Sequence, residues 1–334
     1  MGKMQSRQED RGSIWESSKS HREYSKFRYK HRNLNQESRD MISENRKKTG
    51  VIDVGGGMRG AYGAGVFDWC MDNDIHFDYC MGVSAGSANL VSYLAGQRGR
   101  NYEFYTEYDL RKESMSMQNF IKTRNYLDLE YIYGDLSNEG GEYPLDFKTA
   151  WENPAEFKIV ATNALTGKPH YFDKTDMQQD DYGAIKASSC VPAANQAYEV
   201  DGIPYYDGGI SDPIPLEKCF DEGCDKIVLV LTRPRDYERT ASKDEFISGL
   251  LKREYPEAAR ALRSRAIVYN TQLWLAKQYE KKGRLLLISP DDIGAMKTLT
   301  RDKEAIDLLY KKGYSDASAI AEFVQSSFQC SHRG

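Results

Sequence analysis

Short apolar runs and helical apolar spacing alternate along most of the chain, starting near residue 50. Residues 50–54 form a β-rich run, which a glycine turn joins to a predicted helix over 58–72. The same order returns with a predicted strand over 77–81, a second glycine turn and a predicted helix over 88–95. Two consecutive strand–turn–helix units predict a parallel sheet with right-handed crossovers.

The pattern beyond residue 150 contains further strands and helices. Strands are predicted over 157–161, 169–172, 203–206, 226–232 and 285–288, and helices over 182–189, 244–281 and 302–312. The turn Thr166-Gly167-Lys168 joins the first two of these strands and predicts a β-hairpin. Residues 101–150 are polar and rich in tyrosine, with a predicted helix near 103–112, so we expect a cap or insertion there.

The charged residues divide the chain into two parts. The formal net charge is −4, yet residues 1–49 carry 13 Lys and Arg against 7 Asp and Glu, while residues 50–334 carry 33 against 43. The first 49 residues also lack a sustained periodicity, so they can bury too little apolar surface to offset the entropy of ordering. We therefore expect a basic, disordered tail over 1–49, a folded domain over 50–320 and a tail over 321–334.

The composition narrows the cellular setting. No apolar run approaches the ~20 residues of a spanning helix, and no secretory signal is recognisable at the N-terminus. The six cysteines show neither CxxC pairs nor a disulfide framework. These features predict a cytoplasmic protein. The basic tail is read as a solvated charge run, so no nucleic-acid partner is expected.

The first glycine turn, GGGMRG over residues 55–60, has two interpretations. It matches the GxGxxG pattern of a dinucleotide-binding turn, because it follows a strand and opens a helix. The same geometry directs backbone N–H groups toward any anion at a helix N-terminus, including the oxyanion of an acyl-transfer intermediate.

The second turn favours the oxyanion interpretation. Residues 82–86 read GVSAG, a GxSxG elbow between a strand and a helix, which would expose the Ser84 hydroxyl above the sheet. A dinucleotide site needs no such serine, and no acidic residue closes a second strand about 20 residues after the first turn.

A serine nucleophile needs a base, and two kinds of residue could supply it. None of the histidines, at positions 21, 31, 76, 170 and 332, suits a triad, although His170 is the least unsuitable. The alternative is Asp207, which ends a short strand and precedes Gly208 and Gly209. That residue could be an ordinary turn aspartate, or a base whose pKa burial raises.

Taken together, GGGxRG, GxSxG and DGG in this order resemble the patatin-like phospholipase family, from about Gly50 to about Ile320. The resemblance implies a three-layer α/β/α sandwich with a mainly parallel central sheet, and a Ser-Asp dyad of Ser84 and Asp207. The other residues that it implies belong to the oxyanion hole, the elbow and the DGG motif: Gly55, Gly56, Gly57, Arg59, Gly60, Gly82, Gly86, Gly208 and Gly209.

The function that the resemblance implies is hydrolysis of lipid acyl esters, of the phospholipase A, lysophospholipase or esterase type. The expected partner is a lipid or small acyl ester, with at most peripheral contact at a membrane, and no metal or cofactor is expected. Two alternatives stay open. An acyltransferase would use the same acyl-enzyme, and a non-catalytic module would bind a nucleotide at the GxGxxG turn.

Overall fold

In a computed structural model, which describes residues 47–325, the strands of the two predicted strand–turn–helix units lie at the centre of one mixed sheet. Nearly all of the tail expected over 1–49 lies outside these residues, as does the end of the tail expected over 321–334. The eight strands in this part of the chain are β1 (Thr49–Asp53), β2 (Tyr79–Val83), β3 (Glu156–Asn163), β4 (Pro169–Asp173), β5 (Tyr198–Val200), β6 (Ile203–Asp207), β7 (Lys226–Val230) and β8 (Leu285–Ile288).

Helices surround this sheet. The α-helices of the described chain are α1 (Ala61–Asp72), α2 (Ala85–Leu94), α3 (Arg100–Glu103), α4 (Met117–Thr123), α5 (Phe147–Glu152), α6 (Gly183–Ser188), α7 (Leu216–Asp221), α8 (Ser242–Leu251), α9 (Pro256–Lys281), α10 (Lys303–Asp316) and α11 (Ala319–Gln325). Short 3₁₀ turns cover Gly57–Gly60, Lys174–Asp176 and Gly208–Ile210.

The sheet is parallel at its centre and antiparallel at one side. β1 lies between β2 and β7 and is parallel to both, and the β2–β3 and β7–β8 pairs are also parallel. β3 pairs antiparallel with β4, as the hairpin prediction requires, and with β6, which in turn pairs antiparallel with β5. The mainly parallel sheet is therefore confirmed.

Both faces of the sheet are covered. Successive side chains of a strand point to opposite faces, so Val51 and Ile52 enter two different apolar clusters. The cluster around Val51 includes side chains of α1, α2 and α10, whereas the cluster around Ile52 includes side chains of α7 and the C-terminal half of α9. Two cores on either side of one sheet confirm the three-layer α/β/α architecture.

The segment over 101–150 differs from the single helix predicted near 103–112. α3 continues as a π-helical turn over Phe104–Tyr108, and a second π-helical turn covers Tyr131–Asp135. The π turn buries Tyr105, whose hydroxyl donates to Asn89 Oδ1 at 3.1 Å. The segment thereby packs on α2. The candidate nucleophile, Ser84, directly precedes the first residue of that helix.

Over residues 47–325, every helix is either too short or too polar to cross a membrane.

Candidate active site

Ser84 lies in a strained turn between β2 and α2. Its φ of 57° and ψ of −134° are sparsely populated for a residue with a side chain, and the backbone N–H donates to Ser188 Oγ at 2.8 Å. The flanking glycines leave room for the turn, because a Cβ on Gly82 would lie 2.4 Å from Ser87 Cα and one on Gly86 would lie 2.2 Å from the Asp53 carbonyl oxygen. Ser84 thus lies in a tight, strained turn between a strand and a helix, the geometry expected of the GxSxG elbow.

The first glycine turn curls beside this elbow. Gly55, Gly56 and Gly57 have φ angles of 59°, 126° and 59°, which strongly favour glycine. The Gly55 N–H donates to Asp53 Oδ1 at 2.9 Å, and the Met58 N–H donates to the Thr298 carbonyl at 2.9 Å.

Those two bonds leave a pair of unused donors in the loop. Among the described residues, the backbone N–H groups of Gly56 and Gly57 have no acceptor. Both glycines line the same cavity as Ser84. Two adjacent amides with no protein partner can donate to an oxyanion formed at the Ser84 hydroxyl.

A buried carboxylate beneath the loop holds it in place. Asp53 ends β1, is fully buried, and accepts from Asn89 Nδ2 at 2.8 Å as well as from Gly55. Burial raises the pKa of Asp53 to about 6, against the lowering effect of these two hydrogen bonds. Asn89 Nδ2 also donates to the Gly60 carbonyl at 2.9 Å. Asp53 and Asn89 are positioning residues that the motif analysis missed.

Arg59 and Gly60 occupy different places. Arg59 lines the cavity, is only 6% exposed, and donates from Nη1 to Thr298 Oγ1 at 3.1 Å. Burial, reinforced by the charge of Arg233, lowers its pKa to about 9. Gly60 does not line the cavity. A Cβ on Gly60 would lie 2.2 Å from the Tyr105 hydroxyl, so its role is close packing of the loop against the 101–150 segment.

Asp207 ends β6 and lines the same cavity as Ser84. The residue is 7% exposed, and its Oδ1 accepts from the Gly209 N–H at 2.8 Å. A Cβ on Gly208 would lie 2.1 Å from the Val160 carbonyl oxygen, and one on Gly209 would lie 2.9 Å from Arg265 Nη2. Gly208 is therefore required by a close backbone contact, whereas the contact of Gly209 is with the end of a flexible side chain.

Burial raises the pKa of Asp207, and four interactions oppose the rise. They are the charge of Arg265, the nearby Ser84 hydroxyl, the backbone bond from Gly209 and the charge of Arg239. A buried carboxylate with a raised pKa beside a serine hydroxyl has the environment that a general base needs.

The histidines inside residues 47–325 do not reach this site. His170 lies on β4 with its ring 4.4 Å from that of Phe172, and His76 is exposed and pairs with Asp74 at 2.8 Å. Neither lines the cavity. In the same part of the chain, no group of three or more His, Cys, Asp or Glu side chains could hold a metal ion.

Two spaces of different character meet at Ser84. A cavity of about 430 Å³ contains the glycine loop, Asp207 and several arginines, and an apolar cleft of about 60 Å³ is lined in part by the 101–150 segment. Both spaces share Ser84 and Gly57. The larger cavity is also lined by Arg233, Arg239 and Arg265, which, unlike Arg59, belong to no motif and become recognisable only when the fold brings them together.

Comparison with protein families places most of this site inside one family model. The model described as patatin-like phospholipase matches residues 54–220, and one described as a domain of unknown function, DUF6363, matches residues 255–329. The first match is narrower than the expected range of about 50–320. Arg265 and Thr298 contact the site from within the second matched range.

Individual proteins with similar sequences or structures were also found. An uncharacterized Escherichia coli protein, YjjU, is 31% identical over 189 residues, which cover 55% of this chain and 52% of YjjU. Uncharacterized NTE family proteins of Mycobacterium tuberculosis and Mycobacterium bovis are 34% identical over 77 residues, 23% of this chain and 20% of each relative. The chain thus spans about half of the length of YjjU and a smaller share of the mycobacterial relatives.

A solved structure, VipD from Legionella pneumophila, matches with a TM-score of 0.43 and 14% identity over 84% of this chain and 67% of VipD. The family model extends from the residue before the glycine loop, through the elbow, to a point beyond the DGG motif, and it covers half of the 334 residues. On that match, the chain belongs to the patatin-like phospholipase family.

Proposed function

We propose that the chain is a serine hydrolase of lipid acyl esters, with Ser84 as nucleophile and Asp207 as general base. The observation that carries the proposal is the convergence, in one cavity, of a strained serine, a buried carboxylate and two amides that have no acceptor within residues 47–325. Family membership supports the same class of reaction.

The proposed reaction has two halves. Ser84 Oγ attacks the ester carbonyl carbon while Asp207 takes the hydroxyl proton, and the Gly56 and Gly57 amides donate to the resulting oxyanion. When the carbon–oxygen bond to the alcohol breaks, Asp207 returns the proton to the leaving alkoxide. Water then attacks the acyl-enzyme with Asp207 as base again, and the products are a carboxylic acid and free Ser84.

The test combines active-site labelling with turnover. A fluorophosphonate should label Ser84 of the wild type, and both labelling and hydrolysis of a short-chain ester should be lost in Ser84→Ala and fall by at least ~10³-fold in Asp207→Asn. Asp212→Asn is the matched control, since Asp212 is buried nearby but is bonded to Tyr171 and Gln272 outside the cavity.

The variants give distinct outcomes. Folded Asp207→Asn protein that keeps appreciable turnover would exclude the dyad. Labelled protein that produces a new ester when glycerol is added, in place of the free acid, would indicate an acyltransferase. Wild-type protein that folds but is never labelled would favour a binding module at the glycine turn.

A further inference from the structure

The apolar cleft beside Ser84 contains one carboxyl group. Among the described residues of its lining, Asp109 is the one acidic side chain, and no Lys, Arg or His is present. The apolar part of the lining includes Met115, Leu127, Leu129 and Ile132. A carboxyl group in such surroundings is costly unless the protein or a ligand gives it a hydrogen bond.

The protein gives Asp109 no such bond. Within residues 47–325, its Oδ1 atom is buried without a hydrogen-bond partner, and neither oxygen forms an ion pair. Burial alone raises the pKa of Asp109, to about 7, so neither a cation nor a donor offsets the burial. By contrast, the buried carboxylates of Asp53 and Asp207 each accept a bond from a backbone N–H. Asp109 therefore retains an unused hydrogen-bonding capacity at the cleft.

Two π-helical turns form the wall in which this carboxyl group lies. Asp109 follows the turn over Phe104–Tyr108, and its N–H donates to the carbonyl of Phe104, five residues earlier, at 2.8 Å. The turn over Tyr131–Asp135 contributes Tyr133 to the same cleft. Such turns are rare and occur frequently at functional sites. Their pairing around one cleft supports a ligand site there.

Asp109 lies at the end of the cleft that is remote from the candidate nucleophile. Asp109 and Tyr133 line both the cleft and a smaller chamber of about 20 Å³ behind it, whereas Ser84 lines the cleft alone of these two spaces. Burial raises the pKa of Tyr133, and the charges of Asp109 and Asp207 both add to the rise. Tyr133 thus lies within range of both carboxylates, while the Asp207 charge does not act on Asp109.

The two spaces that meet at Ser84 determine how an ester would lie. The larger cavity is lined by many polar and charged side chains, and the cleft is lined mainly by apolar ones. An ester whose carbonyl lies at Ser84 would therefore extend its acyl chain into the cleft. The volume of about 60 Å³ restricts that chain to a short one, and the far end of the chain would meet Asp109.

We propose that the acyl chain of the substrate is short and carries a hydroxyl group at its far end, which forms a hydrogen bond with Asp109. The proposal rests on the hydrolase function proposed above and names the acyl group that Ser84 would accept. A hydroxyl can donate to an ionised carboxylate and accept from a protonated one, so it suits Asp109 in either state. An ammonium group has three donors to satisfy, which apolar walls do not permit. A plain alkyl chain would leave the carboxyl without a partner.

The experiment uses glycerol monoesters that differ in the acyl chain alone. The chains have six, eight or ten carbons, each with a terminal hydroxyl, a terminal amine or neither. For the full chain, kcat/KM of the hydroxylated ester should exceed that of the plain ester at least about tenfold at one length or more, the factor expected for one hydrogen bond to a charged group. No preference at any length, or a larger preference for the amine, would overturn the proposal.

Variants test whether Asp109 is the group that reads the hydroxyl. Asp109→Leu, which is similar in size but apolar, should reverse the preference, because the hydroxyl would enter the cleft without a partner. Asp109→Asn keeps a polar group at this position and should retain part of the preference, so a folding defect in one variant still leaves a test. Asp135→Leu, the same substitution at an exposed position of the second π turn, should leave the ratio unchanged. An unchanged ratio in folded Asp109→Leu protein would overturn the proposal.

Calorimetry with Ser84→Ala protein tests the site without turnover. The hydroxylated ester of at least one length should bind about tenfold more tightly than its plain counterpart, and addition of Asp109→Leu should abolish the difference. Equal binding of every pair would overturn the proposal.

Failure of this proposal differs from failure of the hydrolase proposal. Equal hydrolysis of the paired esters, dependent on Ser84, would overturn the hydroxyl site and leave the hydrolase intact. Hydrolysis of no ester, together with no labelling of Ser84, would contradict the proposed function, and calorimetry would then decide the Asp109 site alone.

Discussion

Replacement of Ser188 by alanine tests whether the elbow is held from below. Ser188 ends α6 and is fully buried, and its Oγ accepts from the Ser84 N–H at 2.8 Å and donates to the Val160 carbonyl at 2.6 Å. The side chain therefore joins the nucleophile's backbone to β3. Ser188→Ala removes both bonds, together with a longer contact of 3.3 Å from Ser87 Oγ, and inserts no new group.

The size of the effect follows from these two contacts. The Ser84 N–H would lose its acceptor in a dry environment, at a cost of about 1–3 kcal/mol, and the bond to Val160 contributes about 0.5–1.5 kcal/mol more. We therefore expect the free energy of unfolding to fall by about 1.5–4.5 kcal/mol. The φ of Ser84 persists only because its surroundings enforce it, so the rate of fluorophosphonate labelling should fall at least about tenfold as well.

Urea unfolding, followed by tryptophan fluorescence and by far-UV circular dichroism, measures the stability change. Ser189→Ala is the control, since Ser189 Oγ makes one long contact of 3.4 Å with the Tyr133 hydroxyl and should cost less than about 1 kcal/mol. Equal losses in the two variants, or unchanged labelling of Ser188→Ala, would refute the argument that Ser188 anchors the elbow.

Further predictions concern strain, space and burial. Ser84→Gly should be about 1 kcal/mol more stable than Ser84→Ala in thermal unfolding, because glycine tolerates the φ of 57°; equal melting temperatures would argue against strain. Gly208→Ala should cost about 1–3 kcal/mol or more, since its Cβ would lie 2.1 Å from the Val160 carbonyl oxygen, whereas Gly249→Ala, in open space on α8, should stabilise by up to about 1 kcal/mol in urea titrations. Burial raises the pKa of Asp109 to about 7, so ionising it opposes folding as the pH rises from about 4 to about 7. Asp109→Asn should match the wild type at pH 4 and exceed it by up to about 4 kcal/mol at pH 8; a difference independent of pH would contradict this.

The local demands of the motifs made much of the fold predictable. A turn with three positive φ angles needs glycines, and an elbow with almost no space on either side needs small residues. Each requirement is therefore visible in the sequence as a short motif. Because the carboxyl ends of parallel strands share one edge, the turns after β1 and β2 had to meet. The assignment of Ser84 and Asp207 as a dyad stays a prediction.

The supporting residues were not predictable, because their partners lie far away in the chain. Thr298 holds the loop that begins at Gly55, and Arg265 acts on Asp207, yet neither stands in a recognisable motif. Asp53 is a partial exception. An aspartate that closes a buried strand immediately before a glycine turn is costly unless it is bonded, and that cost could have singled it out.

The central place of β1 has a consequence for synthesis of the protein on the ribosome. β1 needs β7 on one side, and the partner of Thr49 is Lys226, which is translated 177 residues later. At about 5–20 residues per second, the nascent chain waits roughly 9–35 s before this pairing can form. During that interval β1 offers an unpaired apolar edge, while its other neighbour β2, and β3 beside β2, are already available. Nascent-chain protection by a chaperone, more than the speed of the final docking step, should therefore set the yield of folded protein at high expression rates.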